Sequence, residues 1–99
     1  MKNQIQLAVR EQEAPVYDAA TIDADVFRIV VHNDEVNSFD WVIQSLVEVC
    51  EHTSEQAEQC ASIIHTKGRY AVKSGSLTHL KPRCEALLDR GLSATLAEA

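Results

Sequence analysis

No run of Lys or Arg occurs in these 99 residues, whose nine basic side chains are scattered among fifteen acidic ones for a formal charge of −6. A groove for a polyphosphate needs a concentrated positive field, so nucleic-acid binding is excluded as a leading function. No apolar window approaches the length that spans a bilayer, and the N-terminus carries nothing like the core of a signal peptide. The three cysteines are odd in number and widely spaced, which argues for reduced thiols in a reducing compartment. Neither C-x-x-C nor H-x-x-x-H occurs, so nothing seeds a tetrahedral metal site. Internal repeats and low-complexity segments are missing too. What is present is a 45% hydrophobic content, ordinary for a globular chain, in a length that holds one small domain. The expectation is a soluble intracellular protein.

Residues 1–25 are polar and acidic and are expected to form a flexible N-terminal extension, although Ile5–Val9 alternates well enough for a marginal strand. The folded domain is expected over 26–99. Val26–His32 is β-branched and nearly continuously apolar, which predicts a strand buried on both faces or central in its sheet. Ser38 offers an N-cap, and Phe39, Val42, Ile43, Leu46, Val47 and Cys50 fall on one helical face. Thr53 and Gln56 form a capping box for a second helix with Ala57, Cys60, Ala61 and Ile64 inward, and Gly68 suits its left-handed stop. Arg69–Lys73 reads as a short strand ending at Ser74-Gly75. A third helix carries Leu80, Cys84, Leu87 and Leu88 and ends at Gly91; Pro82 predicts a start near Thr78 or later. Leu92–Leu96 alternates and can close the sheet as an edge strand. The expected fold is a small single α+β domain of order β-α-α-β-α-β, with three helices on one face of a three-stranded sheet.

The richest stretch is His32–Trp41, a strand-to-helix turn loaded with hydrogen-bond acceptors. Its carboxylates Asp34, Glu35 and Asp40 are explained well enough by capping and the helix dipole. His65, at the end of the second helix, is equally explained by the negative end of that dipole. Taken together with Asn33, however, Asp34 and His65 place three acceptor-capable side chains beside an apolar groove. Such a groove suits a positively charged group that carries a greasy side chain. Cys50, Cys60 and Cys84 lie on apolar helix faces, where a free cysteine behaves as a small hydrophobe. Cys60 is mid-helix, away from the helix N-terminus that would stabilise a thiolate. No substrate cleft is evident for a carboxylate pair. The reading is of a protein that is not an enzyme and needs neither metal nor cofactor.

Three segments, Val31-His32-Asn33-Asp34-Glu35, Phe39-Asp40-Trp41-Val42-Ile43 and His65-Thr66-Lys67-Gly68, together resemble the signature of the ATP-dependent Clp protease adaptor family, ClpS. The resemblance runs from about Val26 to Leu96, intervening lengths included, and implies a ClpS-like core. It implies a binding module that recognises N-degrons, proteins whose first residue is Leu, Phe, Tyr or Trp. The adaptor would pass them to a Clp AAA+ unfoldase of ClpA or ClpC type coupled to ClpP. By position, Asn33, Asp34 and His65 match the family's α-amine ligands. Asn37, Phe39, Val42, Ala61, Ile64 and Leu92 match its side-chain pocket, where burying a large apolar group is worth roughly 1.5–3 kcal/mol. Arg83 falls on the implied unfoldase-binding face, and the N-terminal extension matches a segment implied in delivery.

Two departures stand out. Asn37-Ser38 replaces the family's usual hydroxyl residue plus proline, and Phe39 and Ala61 stand where methionine is frequent. Ala61 is expected to enlarge the pocket floor and Phe39 to narrow its rim. A bacterial cytoplasm is the expected location rather than a plastid stroma, since no transit-like segment is seen. The alternative is a structural or assembly domain that docks a partner without recognising an N-terminal amine. A small thiol-dependent enzyme is a third reading, and it would need an accessible cysteine of low pKa.

Overall fold

The computed structural model describes residues 26–99, so the extension expected over 1–25, with its marginal strand, lies outside the described residues. The chain runs β1 (Phe27–His32), α1 (Phe39–Cys50), α2 (Ser54–Lys67), β2 (Arg69–Gly75), α3 (Leu77–Asp89) and β3 (Ser93–Glu98). This is the expected order. The sheet is antiparallel with β1 in the middle, flanked by β2 and β3. The apolar run of β1 therefore reflects its central place and not burial on both faces. Ile29 and Val31 are buried, Val30 between them is half-buried, and Arg28 is exposed.

The helices form where local chemistry closes their ends. Ser38 accepts the Trp41 N–H at 3.1 Å and caps α1. Thr53 and Gln56 complete the capping box of α2 in both directions, and Gly68 ends it at φ 95°, a left-handed conformation that favours glycine. Each helix then turns one stripe onto the sheet: Leu46 and Cys50 from α1, Ala57, Cys60 and Ile64 from α2, and Leu80, Cys84 and Leu87 from α3. These meet Ile29, Val31, Val72 and Ala94 in a single core. Burial of each full-sized aliphatic chain is worth roughly 1.5–3 kcal/mol.

Four details depart from expectation. Helix α3 begins at Leu77, so Pro82 sits in its second turn. Ser76 caps that helix through the His79 N–H at 3.3 Å, and the buried Leu80 anchors its first turn. These contacts offset the bond that Pro82 cannot make. Leu88, grouped with the other apolar residues of this helix, is 50% exposed, because the buried stripe of α3 passes through Leu80, Cys84 and Leu87. Strand β2 runs to Gly75, beyond the expected Lys73, and the register with β1 slips between Ile29 and Val30. Val72 is the residue passed over, as in a β-bulge. Strand β3 starts at Ser93, leaving Leu92 buried just ahead of it.

Candidate functional site

The turn between β1 and α1 is built around one carboxylate. Asp34 Oδ1 accepts the backbone N–H groups of Val36 at 3.0 Å and Asn37 at 2.9 Å. Its Oδ2 accepts the Asn37 side-chain amide at 2.9 Å and the Ser93 hydroxyl at 3.2 Å. A carboxylate offers about four lone-pair sites, and all of them are occupied here. The Asn37 backbone N–H is the largest influence that holds the Asp34 carboxyl below its ordinary pKa, against the opposing effect of partial burial. The Asn37 amide, the Val36 N–H and the Ser93 hydroxyl add to it.

Asn37 spends both amide hydrogens in this network, since its Nδ2 also donates to the Gly91 carbonyl at 2.9 Å. Two acceptors on one side fix the amide's orientation and leave Oδ1 without a donor among the described residues. The turn is thereby tied to the segment that enters β3. Its other side is tied to the end of α2, where the Asn33 N–H donates to the Gly68 carbonyl at 2.8 Å. The glycine that stops α2 also fixes where Asn33 stands relative to His65.

Between these ties lies a cavity of about 300 Å³. Asn33, Asp34, Asn37 and His65 form its polar side, and Phe39, Val42, Ala61 and Ile64 its apolar side. The side chains of Asn33 and His65 make no hydrogen bond with other described residues, so their acceptor capacity is unspent. Ala61 and Ile64 are buried, whereas Phe39 is 43% exposed at the mouth. Leu92 stands apart from this group: at 3% exposure it belongs to the core and does not line the cavity. Arg83 lies away from it on α3, where its guanidinium donates to the His79 carbonyl at 2.8 Å and faces Glu51 at 3.7 Å. Sequence reasoning missed Ser93 and the Gly91 carbonyl. Both act on a turn more than fifty residues earlier, and no local pattern announces such a pairing.

A second cavity, of about 490 Å³, lies between α2 and β2 and includes His52 and Cys60. His52 Nε2 lies 2.8 Å from the Val72 carbonyl, which can only accept, so Nε2 carries the proton. Nδ1 is then the acceptor for the Cys60 thiol at 3.7 Å. Burial raises the Cys60 pKa, and the thiol acts as a hydrogen-bond donor in the core. Burial likewise pushes the Cys50 thiol up to about 11. Burial, with help from the neighbouring Glu85 charge, raises that of Cys84. Among the described residues no three His, Cys, Asp or Glu side chains gather as a metal site, and no helix is long and apolar enough to cross a membrane.

The family model for the ATP-dependent Clp protease adaptor protein ClpS matches residues 23–95. The chain belongs to the ClpS adaptor family. The ClpS adapter protein of Streptomyces coelicolor is 32% identical over 69 residues, covering 70% of this chain and 72% of that protein. That of Nitratidesulfovibrio vulgaris (strain DP4) is 33% identical over 61 residues, covering 56% of this chain and 59% of its own length. The chain thus spans less than two thirds of this second relative. Among solved structures, ClpS2 of Agrobacterium tumefaciens, bound to L-phenylalaninamide, superimposes with a TM-score of 0.69 at 16% identity. The match covers 76% of this chain and 98% of that one, and it is a likeness of fold. The ClpS resemblance carried by the turn and the His65-Thr66-Lys67-Gly68 segment is therefore a family relationship, and the ClpS fold is the one observed.

Proposed function

We propose that this chain captures proteins by a free N-terminus that bears Leu, Phe, Tyr or Trp and delivers them to a Clp AAA+ unfoldase, of ClpA or ClpC type, coupled to ClpP. The observation that carries the reading is the two-sided cavity, with unspent acceptors facing an apolar wall. An N-terminal ammonium has three N–H donors and one positive charge. Asn33 and His65 accept two of those donors, and Asn37 Oδ1, left without a donor among the described residues, is the candidate for the third. Asp34 has its lone pairs committed to the turn, so it serves the amine chiefly through its negative charge. Charged hydrogen bonds of this kind are stronger than neutral ones. The first side chain then fills the space between Phe39, Val42, Ala61 and Ile64. L-phenylalaninamide, the ligand of the Agrobacterium structure, combines a free α-amine with a benzyl side chain, and this cavity has a place for each.

The chain does no chemistry on what it binds: its thiols are buried with raised pKa values, and its carboxylate is committed to a turn. Asn37, Phe39, Val42, Ala61 and Ile64 form the side-chain pocket, and Leu92 supports it from the core. We assign the unfoldase contact to the α3 face that carries Arg83, and the location to a bacterial cytoplasm. Fluorescence anisotropy with peptides that differ only at residue one tests the reading. Leu, Phe, Tyr and Trp are expected to bind, while Gly and Glu are not. A flat response across residue one would reject it in favour of a docking domain.

A further inference from the structure

Phe39 lines two cavities, and the amine cavity is one of them. The other is a shallow depression of about 510 Å³ walled by Phe39 and Ile63 and completed by Glu58, Gln59 and Ser62. Phe39 is the one residue shared by the two cavities. Glu58 is exposed, and its carboxylate has no ion-pair partner among the described residues.

We propose that this depression is a subsite for the third residue of the bound N-terminus, selecting a long basic side chain. The inference rests on the reading above, that residue one occupies the amine cavity. A peptide held by its first residue must leave that cavity past the rim, and Phe39 forms the rim. In an extended chain successive side chains point to opposite faces, so residues one and three share a face about 7 Å apart. The two cavities share Phe39 in their linings, so a chain that leaves the first past this rim passes the second. Residue two points away from both. An Arg or Lys at position three lays its aliphatic stem along Phe39 and Ile63 and brings its charged head to Glu58. The acidic balance of the chain, −6, adds to the preference. Phe39 then does two things: it closes the first pocket and walls the second.

Three peptides test this, Phe-Ala-X with X as Arg, Gln or Glu and a common tail, measured by fluorescence anisotropy at low salt. Arg is expected to bind more tightly than Gln, and Gln more tightly than Glu, each step about two- to fivefold as for an exposed ion pair. In Glu58→Gln the three affinities should converge, and the melting temperature should show the variant folded. The same order persisting in Glu58→Gln would overturn the proposal. So would a charge preference that depends on Glu58 but appears at position two. Free and acetylated Phe-Ala-Gln are compared alongside. If these two bind equally, the amine-recognition reading itself fails, whatever happens at position three.

Discussion

At Asp34, hydrogen bonding and charge act on different objects. Its four hydrogen bonds hold the turn and reach across to Ser93, while its charge faces the cavity. His65 is the opposite case, an exposed side chain that supports nothing else among the described residues. The two substitutions should therefore behave differently. His65→Ala should weaken binding of a Phe-initiated peptide by about 1–3 kcal/mol, the usual loss of a charged hydrogen-bond partner, while the melting temperature stays put. Asp34→Ala should weaken binding and lower the melting temperature together. Paired calorimetric titration and thermal melts check both; a His65→Ala variant of undiminished affinity would remove that residue from the site. The Asp34 contribution to the turn also has a pH sign. A carboxyl whose folded pKa is lowered stabilises the fold above its unfolded pKa, and that support is lost as pH falls through the folded value.

Elements were legible where their signals are local. The capping box at Thr53 and Gln56, the Ser38 cap and the Gly68 stop all sit within a few residues of the helix end they decide. Pro82 misled because its cost was outweighed by the Ser76 cap and by Leu80, a tertiary contact. Leu88 belongs to the apolar pattern of α3 yet stays exposed, because that pattern is wider than the face the sheet can cover. Gly68 joins element to site, since its carbonyl receives the Asn33 N–H. A side chain there would meet no atom within 4 Å, so the cost of Gly68→Ala comes from the backbone at φ 95° alone. That substitution should lower stability by about 1–2 kcal/mol in denaturant unfolding and weaken peptide binding as Asn33 shifts. Full stability in the Gly68→Ala variant would mean that the turn relaxes without strain.

For the molecule as a whole, the polar and apolar halves of the cavity come from the turn between β1 and α1, from α1 and from α2, and their ties reach the segment that enters β3. The motif residues were readable because family resemblance groups them. Ser93, Gly91 and the depression beside Phe39 were not, because they depend on how distant segments meet. The three buried thiols report on the fold's integrity. They should react slowly with an alkylating reagent at neutral pH in the native protein and quickly in denaturant; fast native alkylation would favour the thiol-enzyme alternative. Cys50 also sets an alkaline limit. An unfolded thiol ionises first, so stability that is full below its unfolded pKa should decline as pH rises toward about 11.

Recognition of the free amine is the central claim, and one comparison isolates it: the affinity of a single Phe-initiated peptide with its α-amine free and with it acetylated. Acetylation keeps the benzyl side chain but removes the charge and two of the three donors. The predicted result is a loss of at least about tenfold, in line with roughly 1.5–3 kcal/mol for a hydrogen bond to a charged group. Equal affinities would contradict it and leave the cavity beside Asn33 and His65 as an apolar docking groove.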